Sequence, residues 1–146
     1  MIYTELTVKA INIAFKAHEG SFDRSGLPYI THPLHVAESM DTEDETVVAV
    51  LHDVIEDTDM TLDDLRKEGF TETQLEAVRL LTHEDGISYE DYVKRLKSNP
   101  IARKVKLSDL RHNMDRTRIK DASFKDEKRY KKYEDAYKYL TDDNED

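Results

Sequence analysis

Four side chains with lone pairs suited to a cation are spread along the chain: His32, the adjacent His52 and Asp53, and Asp109. A second acidic pair, Glu56 and Asp57, follows the His-Asp step. Imidazole nitrogen combined with carboxylate oxygen suits a borderline-to-hard divalent ion such as Mn²⁺, Fe²⁺ or Zn²⁺. With no cysteine in the chain, the thiolates usual in a purely structural zinc site are absent. An ion held by these four leaves positions open for water and substrate, an arrangement suited to attack on phosphate. Glu56 comes four residues after His52, and Asp57 four after Asp53, so in a continuous helix the second pair lies one turn beyond the first. A carboxylate placed beside an activated water is a natural general base.

Other residues could position an anion next to that centre. Arg24 and Ser25 fall in a glycine- and proline-containing stretch over 19–29 that reads as an exposed loop. A planar guanidinium there can meet phosphate oxygens with two parallel bonds. Lys106 precedes Asp109 by three residues and Asn113 follows it by four, which puts both on the Asp109 face of a helix.

The elements that must carry these residues read as helices. Leu6, Ala10, Ile13, Ala14 and Ala17 give 4–18 one apolar face. Thr31-His32-Pro33 opens a second helix with proline in its first turn. Thr42 with Glu45 forms a capping box for a helix running through Val47-Val48-Ala49-Val50-Leu51 to about Ile55. A carboxylate near the end of so apolar a helix needs a partner, and a metal would provide one. Thr61 caps a short helix ended by Gly69, Thr71 with Gln74 opens another, and Ser88 a third reaching Leu96. After Asn99-Pro100, the recurrence of Ile101, Val105, Asp109 and Asn113 defines one helical face. Tyr130, Tyr133, Tyr137 and Leu140 line a terminal helix that packs within the domain in preference to pairing with a second copy, although a homodimer is compatible with the pattern.

Composition agrees with this reading. The 146 residues suffice for one hydrophobic core, and 38% hydrophobic and 37% charged residues with only four glycines and three prolines favour packed amphipathic helices. The expectation is an all-α protein with one compact domain over 1–140 and an acidic, disordered tail over 141–146. Zero cysteine suits a reducing, cytoplasmic setting, and no secretory signal is visible. The longest apolar run is far short of the ~20 residues of a membrane span. A net charge of −10 argues against nucleic acid as a partner while leaving a small anionic substrate open.

Three segments, read together, carry a family resemblance. They are Pro28-Tyr29-Ile30-Thr31-His32-Pro33-Leu34, Leu51-His52-Asp53-Val54-Ile55-Glu56-Asp57-Thr58, and Val105-Lys106-Leu107-Ser108-Asp109 with His112-Asn113-Met114. In this order they resemble the HD-domain metal phosphohydrolases, and more closely the hydrolase domain of the RelA/SpoT homologues and the stand-alone small alarmone hydrolases. The resemblance covers about 17–113. It implies a helical HD fold, one divalent ion (commonly Mn²⁺, with Fe²⁺, Zn²⁺, Co²⁺, Ni²⁺ or Mg²⁺ compatible), and removal of the 3′-pyrophosphate from guanosine tetra- or pentaphosphate. By position it makes His32, His52, Asp53 and Asp109 the metal ligands. Glu56 and Asp57 become the residues that orient or deprotonate water, and Asn113 a nucleotide contact. Two places depart from the pattern. Asp23 precedes Arg24 where two consecutive basic residues are usual, and Leu110-Arg111 stands where Arg-Leu is usual. An HD-type nucleotide phosphatase or pyrophosphatase of other specificity is therefore an alternative, and a non-catalytic nucleotide-sensing domain a second.

Overall fold

Helix α3 (Glu43–Leu51) is the element against which the others are arranged. Every residue from Thr46 to Leu51 is fully buried, and a helix apolar on all sides needs neighbours on all sides. The neighbours are α1 (Glu5–Ala17), α2 (Thr31–Glu38), α6 (Glu72–Leu81) and α8 (Pro100–Asn113). Around them, α5 (Leu62–Lys67) lies on α6, α7 (Tyr89–Leu96) links α6 to α9 (Phe124–Thr141), and α9 packs along α8. The computed structural model describes residues 1–119 and 122–143. Within them all regular secondary structure is helical, apart from one isolated antiparallel bridge between Phe22 and Pro28. Among the described residues no helix is long and apolar enough to cross a membrane.

Most helix starts follow from local chemistry. Thr4, Thr61 and Thr71 form reciprocal capping boxes with Thr7, Asp64 and Gln74, and Ser88 and Asn99 cap α7 and α8 through one side-chain bond each. Pro33 occupies the first turn of α2, where a missing N–H costs nothing. Gly69, at φ 102°, takes the left-handed conformation that ends α5.

Three expectations are corrected. The Thr42 hydroxyl accepts the Glu45 N–H, but the Glu45 carboxylate turns outside the helix to the N–H of Asp41 and to Lys104, so the box is only half made. The helix beginning at Thr42 stops at Leu51 and resumes as one turn, α4 (Val54–Asp57), with His52 and Asp53 in the break. Helix α9 extends through Thr141, one residue into the expected tail. The end of that tail, 144–146, lies outside the described residues.

Because α3 is enclosed on every side, truncation there leaves a cavity its neighbours cannot fill. Leu51→Ala is expected to cost about 2–5 kcal/mol in urea unfolding. Phe15→Ala, at a residue 59% exposed, should change stability by less than about 0.5 kcal/mol.

Candidate metal centre

The break after α3 has a local cause. His52 Nδ1 lies 2.6 Å from the carbonyl oxygen of Ala49, the acceptor that an uninterrupted helix would offer to the N–H of Asp53. A carbonyl can only accept, so Nδ1 carries a proton and Nε2 is the nitrogen left to face the site. That nitrogen is buried and has no aligned hydrogen-bond partner, although Asp53 Oδ2 is 3.0 Å away and Asp109 Oδ1 3.5 Å away.

Asp109 arrives from α8 and His32 from the first turn of α2. His32 Nε2 is 2.8 Å from Asp109 Oδ1 and 3.8 Å from Asp53 Oδ2. Donor atoms of His32, His52 and Asp109 all lie within 4.8 Å of one another. The sequence-predicted quartet is thus brought together from three separate segments. Its donor set fits a divalent cation on chemical grounds, since two imidazole lone pairs and two carboxylates meet in a buried space. Burial opposes charge on His52, yet Asp53 and Asp109 outweigh it and push its pKa well up. The same conflict holds Asp53 down to about 2 through His52, and Asp109 well below the usual carboxylate range through Lys106 and His32. This hunger for positive charge is what a divalent ion would satisfy.

The flanking residues fix these donors. The buried ammonium of Lys106 lies 2.9 Å from Asp109 Oδ2, and Asn113 Nδ2 donates to Asp109 Oδ1 at 3.2 Å. Burial opposes the charge on Lys106, but Asp109 and the rings of Tyr89 and Tyr92, 5.7 and 5.2 Å from Nζ, keep it protonated. The Tyr29 hydroxyl donates to Asp53 Oδ2 at 2.6 Å, and burial and that carboxylate push its phenol pKa well up. The sequence signal for Tyr29 is its place two residues before Thr31 within the matched segment. Past the break, Glu56 accepts the N–H of His83 at 2.9 Å. Asp57 has partial burial and the charges of Asp53 and Glu56 pushing it up to about 6, which leaves it poised near neutrality.

Beside His32 opens a cavity of about 290 Å³, with Asn113, Tyr29, Phe22, Tyr130 and Tyr133 in its walls. Arg24 and Ser25 border it. The Arg24 guanidinium makes a two-pronged contact with the buried carboxylate of Asp126 at the start of α9, and the Ser25 hydroxyl donates to Asp23 Oδ1 at 2.6 Å. Asp23 also accepts the N–H groups of Ser25 and Leu27, and pairs at 3.1 Å with Arg118 from the 3₁₀ turn Arg116–Arg118. Burial works against ionisation of Asp23, but the bonds from Ser25, Leu27 and Arg118 hold it at about 2. Sequence reasoning did not pair Arg118 or Asp126 with this loop because their partners are about a hundred residues away.

No family model matches the chain. It is 38% identical over 117 residues to a guanosine-3′,5′-bis(diphosphate) 3′-pyrophosphohydrolase of Haemophilus influenzae, covering 70% of this chain and 17% of that protein. To the bifunctional (p)ppGpp synthase/hydrolase SpoT of Escherichia coli K12 it is 36% identical over 123 residues, covering 73% and 17%. A probable GTP pyrophosphokinase of Mycobacterium leprae is 34% identical over 119 residues, covering 73% and 15%. The chain therefore spans only 15–17% of the length of these curated relatives. A solved structure described as a metazoan orthologue of SpoT that hydrolyses ppGpp superposes with a TM-score of 0.77, covering 99% of this chain and 90% of that one. At 20% identity, this is a likeness of fold.

A carboxyl whose pKa is lower in the folded than in the unfolded chain stabilises the fold above its unfolded pKa, near 3.9, and that contribution is lost as pH falls through the folded value. Asp23→Asn is therefore expected to be less stable than the parent at pH 6. The difference should shrink as pH drops from about 4 toward 2, as measured by urea unfolding at a series of pH values.

Proposed function

The chain is an HD domain of the RelA/SpoT hydrolase type, and from that premise we propose that it is a cytoplasmic metal-dependent phosphohydrolase that removes the 3′-pyrophosphate from a guanosine tetra- or pentaphosphate alarmone. The observation that carries this reading is the buried, unpaired Nε2 of His52 facing Asp53, Asp109 and His32. These four would hold one divalent ion, Mn²⁺ by family resemblance. Bound there, such an ion neutralises phosphoryl oxygens and acidifies water.

The rest of the reaction falls to this chain's own residues. Asp57, with Glu56 beside it, lies one turn past the His-Asp step and would take a proton from the attacking water. Lys106 and Asn113 hold Asp109 in place, and Asn113 also faces the cavity, where it can reach the substrate. Arg24 and Ser25 border the cavity from the opposite end of the chain, with Arg24 available to phosphate once Asp126 yields it. The aromatic walls provide an apolar surface for a nucleobase.

A specific observation favours a second reading. Asp23 and Asp126 already neutralise Arg118 and Arg24, which suits a nucleotide carrying fewer phosphates at that end. Mn²⁺-supported turnover of guanosine tetraphosphate, compared with nucleoside mono-, di- and triphosphates, separates the two. Alarmone preference with release of pyrophosphate is expected, and equal or better turnover of ordinary nucleotides removes the alarmone assignment. His52→Ala is expected to abolish both metal uptake and turnover.

Since a general base works only when deprotonated, kcat should fall on the acid side with a limb at or below about pH 6, a nearby cation moving it lower. Asp57→Asn should reduce kcat by about 10²–10⁴-fold and remove that limb while leaving metal uptake unchanged. A full-rate Asp57→Asn enzyme would hand the proton to Glu56.

A further inference from the structure

On the far side of His32 from the metal centre lies a second imidazole. His32 Nδ1 is 2.7 Å from His112 Nδ1, and the two ring planes are within 9° of each other. The centroid separation of 5.0 Å exceeds the nitrogen–nitrogen distance by the two ring radii, so the rings meet edge to edge in nearly one plane. In that geometry each nitrogen points its lone pair or its proton directly at the other, and a single proton lies between them. The His112 ring is itself fixed. Its other face stacks on His35 with centroids 4.0 Å apart, and its backbone carbonyl accepts Arg118 Nη1 at 2.9 Å.

Resting on the metal assignment above, we propose that His112 is a positioning residue that holds His32 in the tautomer whose Nε2 can bind the cation. With Asp109 Oδ1 at 2.8 Å, His32 Nε2 donates its proton to that carboxylate. When a cation takes Nε2, that proton leaves to solvent and the neutral ring must carry its proton on Nδ1. His112 Nδ1 surrenders the shared proton to His32 Nδ1 and becomes the acceptor, while His112 Nε2 takes a proton from solvent, so the proton count balances. The same 2.7 Å bond thus serves both states with its direction reversed. Helix α8 contributes both halves of the device, since His112 follows Asp109 by three residues and shares its face. A carbonyl in place of His112 would impose one direction only; a ring that can either donate or accept adapts to loading.

The test compares two substitutions by calorimetric titration with Mn²⁺. His112→Leu keeps the bulk but offers Nδ1 of His32 nothing. It is expected to weaken Mn²⁺ binding by about 10–100-fold, the usual cost of losing a group that orients a metal-binding histidine. His112→Asn, whose Oδ1 falls where the imidazole Nδ1 stood, should recover most of that loss. Both metal-free variants should melt together, which separates orientation of His32 from general packing. Leucine binding Mn²⁺ as tightly as the parent, or asparagine binding as weakly as leucine, overturns the proposal. A parent protein that binds no Mn²⁺ overturns the metal assignment and this proposal with it. Independently of any variant, nitrogen-15 spectra of the zinc-loaded parent should show scalar coupling between the two Nδ1 atoms across the shared proton. Its absence overturns the proposal even where a variant fails to fold.

Discussion

The constraint on which the rest of this structure depends is the lone pair of a buried imidazole. His52 sits at the end of the most enclosed helix in the fold, a proton fixed on Nδ1 by the carbonyl of Ala49, so that Nε2 is the nitrogen left to confront two carboxylates. In a low-dielectric interior, electron-rich atoms at 3.0–3.5 Å repel unless positive charge lies between them. The protein answers part of this demand with Lys106 against Asp109 and with hydrogen bonds from Tyr29 and Asn113. Lys106 takes the Asp109 oxygen turned away from the imidazoles, while Tyr29 and Asn113 bond the very oxygens that face them. Positive charge supplied only by a proton on His52 would satisfy one neighbour at a time, whereas a divalent ion would act on several donors at once.

The interruption between α3 and α4 follows from the same constraint. In a continuous helix His52 and Asp53 would project about 100° apart, and only one could face Asp109 and His32. By capturing a backbone carbonyl, the His52 side chain releases the Asp53 backbone from the helical bonding pattern, and both side chains turn to one point. Burying an interrupted backbone is tolerable because Thr58 closes the next turn through the Val54 carbonyl, and the Asp57 N–H reaches Asp53. A single local bond therefore converts an apolar core helix into the floor of a site and sends Glu56 and Asp57 toward its rim.

What could be read from the sequence divides along the range of the interactions. Helix starts at Thr4, Thr61, Thr71, Ser88 and Asn99 are written within four residues, and they stand where the capping chemistry puts them. The convergence of His32, His52, Asp53 and Asp109 was also legible, because the types and order of four motifs constrain one another. The break at His52 was not, since the apolar periodicity through Ile55 gives no warning that a side chain will take a backbone acceptor. Glu45 likewise carried the right residue for a capping box, but Lys104, from α8, drew its carboxylate elsewhere. The partners of Arg24, Asp23 and His32 come from α8, the 3₁₀ turn and α9, and such pairings exist only once the fold has formed.

Those distant pairings also give the departures from the family pattern a physical meaning. An acidic residue at position 23, taken alone, removes a cation from the cavity. In three dimensions its carboxylate organises the loop through Ser25 and Leu27 and draws in the guanidinium of Arg118. Arg24, in turn, is tied to Asp126, a residue only 1% exposed that also anchors the first turn of α9 through Ser123. The loop is consequently fastened by one ion pair to the terminal helix and by another to the 3₁₀ turn. Any anion entering the cavity must compete with a carboxylate for either guanidinium, and at Arg24 with both prongs of a two-pronged contact.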